Sequence, residues 1–283
     1  MNAERLIELY DRIADSPDAV NRLRRFVLDL AVRGRLSEPN SSDGSSFELL
    51  SRLKSARTEL IASKQIRARQ GKEPRLHAVP FEVPSYWQWT ALGTVFQYDA
   101  GIKVNPARLA PKEWLLELED IEKNSGRLLA KLTVEQRGAK STKSKFEAYD
   151  ILYGKLRPYL NKAIVASEGG YSTTEIVAIR PWSPICSAFS AIALRSPQFV
   201  DYVTRLGQGT KMPRLRGQDA INAPFPLPPL AEQHRIVAKV DELMALCDRL
   251  EASLQQADDK RARLLDALLA EALESATNEY SAA

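Results

Sequence analysis

Three short stretches of this sequence carry side chains suited to holding a polyanion and hydrogen bonding to groups along it. KSTKSK supplies Lys140, Lys143 and Lys145 from what reads as a flexible basic loop. FEAYDILYGKLRPYLNKAIVASEGGYSTTEIVAIRP supplies Lys155, Arg157 and Lys162, cations able to neutralise phosphates, with Tyr159, Asn161, Thr173 and Thr174 as donors to phosphates or base edges. GQGTKMPRLRG supplies Thr210, Lys211, Arg214 and Arg216 among glycines that permit close backbone approach. The planar guanidinium fork matches O6 and N7 of guanine, so Arg214 and Arg216 are expected to read bases while the lysines bind phosphate. A formal net charge of +4 alone says little. Its distribution says more: Lys131, Arg137, Lys140, Lys143, Lys145, Lys155, Arg157 and Lys162 face only Glu135, Glu147 and Asp150 over the same span.

Catalytic chemistry finds no footing. A methyltransferase acting on an amino group needs a glycine-rich loop for S-adenosylmethionine and an N/D-P-P-aromatic motif, and Asn222-Ala223-Pro224-Phe225 imitates the second only faintly. Asp258-Asp259-Lys260 lacks the partner acid that a metal-dependent nuclease requires and reads as a solvated helix face. His77 and His234 stand apart from any nucleophile motif, and no phosphate-cradling GxxxxGK loop occurs. Cys186 and Cys247 are far apart, without a CxxC or Cys/His cluster, and are expected to be small buried apolar residues. No catalytic, cofactor-binding or metal-ligating residue is therefore assigned.

The elements that must position these side chains follow from pattern. Hydrophobic residues at 44% and charged residues at 27% describe a globular chain, and no apolar run approaches a membrane span. The amphipathic, charged start MNAERLIELYDRIA is unlike a secretory signal, so a cytoplasmic location is expected. Residues 2–14 predict a short helix; Ser16-Pro17-Asp18 restarts one with Leu23, Phe26, Val27, Leu30 and Ala31 as its apolar stripe and Gly34 as its stop. Ser46 is expected to cap a further helix from Phe47 to about Gln70. Trp87 and Trp89 alternate as on a strand and are assigned to packing, and from Thr90 to Asn222 short strands and loops take over, with helix over 188–206. Prolines 224, 226, 228 and 229 forbid helix before Leu230. A long helix then carries a heptad stripe of Ile236, Val240, Leu243, Cys247, Leu250, Leu254, Leu264 and Leu268, weakened at Ala257 and Arg261. From Leu230 to Glu274 such a helix would measure about 65 Å.

Several phrases resemble one family. PLPPLAEQHRIVAKVDEL, from Pro226 to Leu243, is similar to the element that follows a target recognition domain in the specificity subunits of type I restriction-modification systems, and its P-L-P-P-x-x-E-Q phrase is highly specific. RLRRFVLDLAVRGRL resembles the helix preceding such a domain, FEVPSYWQWTALG its first residues, and WLLELEDI, DILYGKLRPY and the G-x-G-T loop its interior. The resemblance covers nearly the whole chain. It implies an α+β fold: a helical region over 1–75, one mixed target recognition domain over 76–226, and a spacer or dimerisation helix over 227–283. It also implies a non-catalytic subunit that recognises double-stranded DNA, with a modification subunit carrying S-adenosylmethionine and a restriction subunit using ATP and Mg, no cofactor being bound by this chain. The family pattern has two recognition domains in tandem and this sequence shows one, as in a half-subunit or a truncation. A homodimer pairing through the heptad stripe would then place two readers on a split palindromic site. Two other classes fit the residues alone: a helical scaffold that binds proteins, and a freestanding DNA-binding regulator.

Overall fold

The computed structural model of the chain describes residues 18–64, 73–207 and 211–281, with side chains through residue 270. The helix expected over 2–14, the Ser16-Pro17 cap and Thr210 lie outside the described residues. The chain divides into two compact units, Arg25–Val240 and a second made from Met1–Arg24 with Asp241–Ala283. Among the described residues, no helix is long and apolar enough to cross a membrane.

Helix α1 (Ala19–Val32) buries Leu23, Val27 and Ala31, spaced four apart on one line, whereas Phe26 lies off that line and is 38% exposed. Gly34 follows at φ 67, and a Cβ there would meet the Pro84 ring at 2.6 Å, so both conformation and space require glycine. Helix α2 (Ser46–Ala62) is capped one residue earlier than expected. Ser45 has extended backbone and its hydroxyl accepts from Phe47 N and Glu48 N, while Ser46 is buried inside the first turn. The helix ends at Ala62, and Lys64 has φ 56; the rest of the expected span, residues 65–70, lies outside the described residues.

Among the described residues, the middle of the chain holds three sheets. Strand β1 (Gln88–Ala91) pairs antiparallel with β10 (Pro224–Leu227), so the proline-rich stretch that forbids helix forms a strand instead. Prolines at alternate positions leave the N–H groups of Phe225 and Leu227 for the partner strand. The one-turn helix α3 (Leu92–Val95) separates β1 from β2 (Phe96–Tyr98). Strands β2, β6 (Ile151–Gly154), β7 (Ala163–Val165) and β9 (Ile176–Pro181) form an antiparallel sheet in the order β2-β9-β6-β7. Strands β3 (Ile102–Val104), β4 (Trp114–Leu116), β5 (Lys143–Phe146) and β8 (Gly170–Ser172) form the third sheet in the order β3-β5-β8-β4, with β4 and β8 parallel. The stretch 96–104 is broken at Asp99, which has φ 58, and so contributes to two sheets.

The two larger sheets pack face to face over Trp114, Leu116 and Phe146 from one and Leu152, Ile164, Ile176 and Ala178 from the other. A smaller cluster of Leu109, Leu115, Val134 and Tyr171 covers the outer face of the third sheet. Helix α4 (Val134–Arg137) contributes Val134 to that cluster. Helices α5 (Ser187–Arg195) and α6 (Pro197–Leu206) realise the helical reading of 188–206 and bury Phe189, Ile192, Leu194, Phe199 and Val203. Helix α7 (Gly217–Ile221) leads into β10, and α8 runs unbroken from Leu230 to Ser281.

The base of α8 is keyed by polar side chains. Glu232 is fully buried and accepts from Ser37 Oγ at 2.7 Å, Tyr86 Oη at 3.2 Å and Trp87 Nε1 at 2.9 Å. Trp87 therefore does more than pack. Gln233, equally buried, accepts from Cys186 N at 3.1 Å and donates to Pro228 O at 2.9 Å. Arg235 forks onto Asp43 at 2.5 and 2.6 Å. These bonds are the physical content of the P-L-P-P-x-x-E-Q phrase: its acid and amide satisfy groups from three separate stretches of chain.

Candidate nucleic-acid interface

Two of the basic stretches read separately from sequence form a single ribbon. Strand β6 continues past Gly154 into Lys155–Arg157, which lies against Pro213–Leu215: Arg157 N donates to Pro213 O at 2.8 Å, Leu215 N to Lys155 O at 2.9 Å, and Leu156 bridges Arg214. Burial alternates along the second segment, with Pro213 and Leu215 inside and Met212, Arg214 and Arg216 outside, as a strand-like backbone requires. Lys211 is also exposed, Arg157 is exposed and Lys155 half-buried. Arg157 and Asn161 both have positive φ, 48 and 54, on either side of the Pro158–Leu160 turn that lifts Tyr159 to 42% exposure. Such conformations are costly for residues with a Cβ and hold here because the flanking backbone is pinned by the ribbon.

Not every candidate faces outward. Asn161 is buried and donates to Arg195 O at 3.0 Å, while Lys162 Nζ donates to Leu118 O at 2.7 Å. Thr173 is half-buried, its N–H bonded to Leu116 O at 3.1 Å, whereas Thr174 is exposed. Of the basic stretch 140–145, read as a flexible loop, Lys143–Lys145 are corrected to the start of β5, while residues 140–142 lie outside any helix or strand. Its Lys143 is 6% exposed, and the ammonium sits 3.0 Å from Ser141 Oγ and 3.9 Å from Glu117 Oε1. A lysine stem is apolar enough to be buried when its tip finds oxygen, which a reading by charge alone misses. Lys140 and Lys145 remain exposed, Lys145 in register with Ile102 and Tyr171.

Sequence reasoning passed over Glu175. It lies at the start of β9, its carbonyl accepts from Lys155 N at 2.9 Å, and its carboxylate takes Arg214 Nε at 3.0 Å and Nη2 at 3.2 Å. The carboxylate raises the Arg214 pKa further, through its hydrogen bond first and its charge second. No local signal marked it: between Lys162 and Arg180 the charged residues are Glu168 and Glu175, with no cation beside them.

The heptad positions divide along α8. Ile236, Val240, Leu243 and Cys247 are at most 2% exposed, Leu250 and Leu254 are half-buried, and Leu264 and Leu268 are 62% and 55% exposed. Burial pushes the Cys247 thiol pKa up, so it stays protonated, and Cys186 is likewise a free buried thiol. Among the described residues, no group of three or more histidines, cysteines or acids is placed to hold a metal ion.

No protein-family model matches the chain. It is 29% identical over 266 residues to the type I restriction enzyme EcoAI specificity subunit of Escherichia coli, a match covering 88% of this chain and 44% of that protein. The EcoDI specificity subunit of the same organism is 27% identical over 266 residues, 92% of this chain and 54% of the relative. The chain thus spans about half the length of these relatives. Among solved structures, the HsdS subunit from Thermoanaerobacter tengcongensis superposes with a TM-score of 0.53 at 25% identity, over 63% of this chain and 47% of that one. In sequence and in fold the chain is thus similar to about half of a specificity subunit of a type I restriction-modification system.

Proposed function

We propose that this chain is a DNA-recognition subunit that carries no catalytic residue of its own and directs partner subunits to a double-stranded site. The observation that carries this reading is the convergence of Lys155, Arg157, Arg214 and Arg216 on one ribbon, flanked by Lys211, Tyr159 and Thr174, in a chain related to specificity subunits. Cations at this density supply the phosphate term of binding, and the arginine forks supply donors for base edges. Lys140 and Lys145 would extend the phosphate contact. Asn161, Lys162 and Lys143 would act by holding the backbone beneath it.

On this reading residues 76–226 are the recognition module and 227–283 the spacer. The partners are a modification subunit, which brings S-adenosylmethionine, and a restriction subunit, which uses ATP and Mg. The exposed row of Leu264, Leu265, Leu268 and Leu269 supports pairing of two copies through α8, which would set two readers on a split palindrome. Light scattering with and without the modification subunit should show a dimer; a monomer at every concentration would remove the pairing from the proposal.

Binding of the full chain to random-sequence duplex over a salt series tests the central claim. Affinity should fall steeply with salt, and Lys155→Ala should lower the slope by about one unit across all sequences. Absence of salt-dependent binding at low ionic strength, by the chain alone and with its modification subunit, would overturn it.

A further inference from the structure

The contact between Glu175 and Arg214 has a geometry that matters for base reading. A guanidinium has five N–H donors: one on Nε and two on each Nη. Glu175 takes the side of the group, Nε at 3.0 Å and Nη2 at 3.2 Å. Both Nη1 donors and the second Nη2 donor are left, and among the described residues no acceptor is recorded on Nη1. The outward N–H of Nη1 and that of Nη2 are parallel and form the end of the fork, the pair whose spacing fits O6 and N7 of guanine.

Both members of the pair stand on fixed backbone. Glu175 is tied through its carbonyl to Lys155 N at 2.9 Å and precedes Ile176, which is fully buried and in register with Gly154. Arg214 lies between the buried Pro213 and Leu215, and its own backbone bridges Leu156. The guanidinium itself is half exposed, with a side-chain accessibility of 51%. A two-point planar contact removes the rotations by which a surface arginine would otherwise swing onto the nearest phosphate, so less entropy is lost when the fork meets a base. The adjacent negative charge also weakens attraction to phosphate while leaving the directional donors intact.

We propose that Glu175 is a positioning residue for base recognition: it holds Arg214 side-on so that the end of the guanidinium addresses the major-groove edge of a guanine, and the recognised site contains that G·C pair. This rests on the DNA-binding reading above and adds to it the base and the residue that orients its reader.

The test is selection from a randomised duplex pool by the full chain assembled with its modification subunit, followed by sequencing of the bound DNA. The wild-type chain should require guanine at one position. Arg214→Lys, which keeps the charge and loses the fork, should reduce that preference about tenfold or more. Glu175→Gln should weaken preference at the same base pair several-fold, while binding to random duplex is unchanged or tighter and thermal stability is retained. If Glu175→Gln leaves the guanine preference intact and only tightens binding overall, the carboxylate is an electrostatic brake and the inference is overturned. An Arg214→Lys chain with wild-type preference overturns it as well. A wild-type assembly that selects no sequence at all would instead sink the DNA-binding reading beneath it.

Discussion

The two ends of helix α8 share one hydrophobic rhythm and use it differently. At the base, Ile236 and Val240 are buried beside a polar lock in which Glu232, Gln233 and Arg235 each have named partners. Farther along, Leu264, Leu265, Leu268 and Leu269 continue the apolar row but are between 53% and 62% exposed. A heptad stripe therefore tells where a helix wants cover, and the buried polar residues tell where the chain itself provides it. Slipping the base by one residue would strand the Glu232 carboxylate away from three donors, a cost that no apolar seam imposes.

That contrast is sharpened first by matched truncations. Ile236→Ala should cost about 3 kcal/mol in a denaturant melt, because it opens a cavity in a fully buried site, whereas Leu268→Ala in a dilute sample should change stability by less than about 0.5 kcal/mol. Equal losses at both positions would erase the distinction between the ends. Next in size, Glu232→Ala should lower stability by about 2 kcal/mol, since the Trp87 indole N–H and two hydroxyls lose their acceptor; an unchanged melting temperature would show that the lock carries no weight. The smallest effect belongs to Asp43, whose carboxyl is held below its ordinary value chiefly by the hydrogen bonds from Arg235. A folded-state pKa that is depressed stabilises above the unfolded value, near 4, and that contribution disappears as pH falls through the lower folded value. Because Arg235 is 38% exposed, solvent screens much of it. Melting curves from pH 5 downward should thus lose slightly more stability in the wild type than in Asp43→Asn.

What the sequence made legible was what is local. The stripe through Leu23, Val27 and Ala31, the stop at Gly34, the paired helices over 188–206 and the long α8 all follow from spacing within a few turns. What it hid was non-local. Lys155 and Arg214 read as belonging to separate stretches because nothing within either announces that Leu156 bridges Arg214. Glu175 was passed over for the same reason: its role depends on a side chain supplied by another part of the chain. Lys143 misled through its charge, since Glu117 and Ser141, which allow its burial, are brought to it only by the folding of the third sheet. The one-residue shift of the α2 cap from Ser46 to Ser45 reflects two adjacent serines, either of which satisfies the local rule.

The pairing of β1 with β10 carries a consequence of its own. Gln88 lies opposite Leu227 and Ala91 opposite Pro224, and Leu92 N donates to Ala223 O at 2.8 Å, so the chain departs and returns through one doorway. What lies between those two jambs also braces them, through Phe96 and Phe189 against Phe225 and through Cys186 N on Gln233. On the DNA-binding reading proposed above, a change of specificity would call for an insert that ends at the same frame and keeps those contacts.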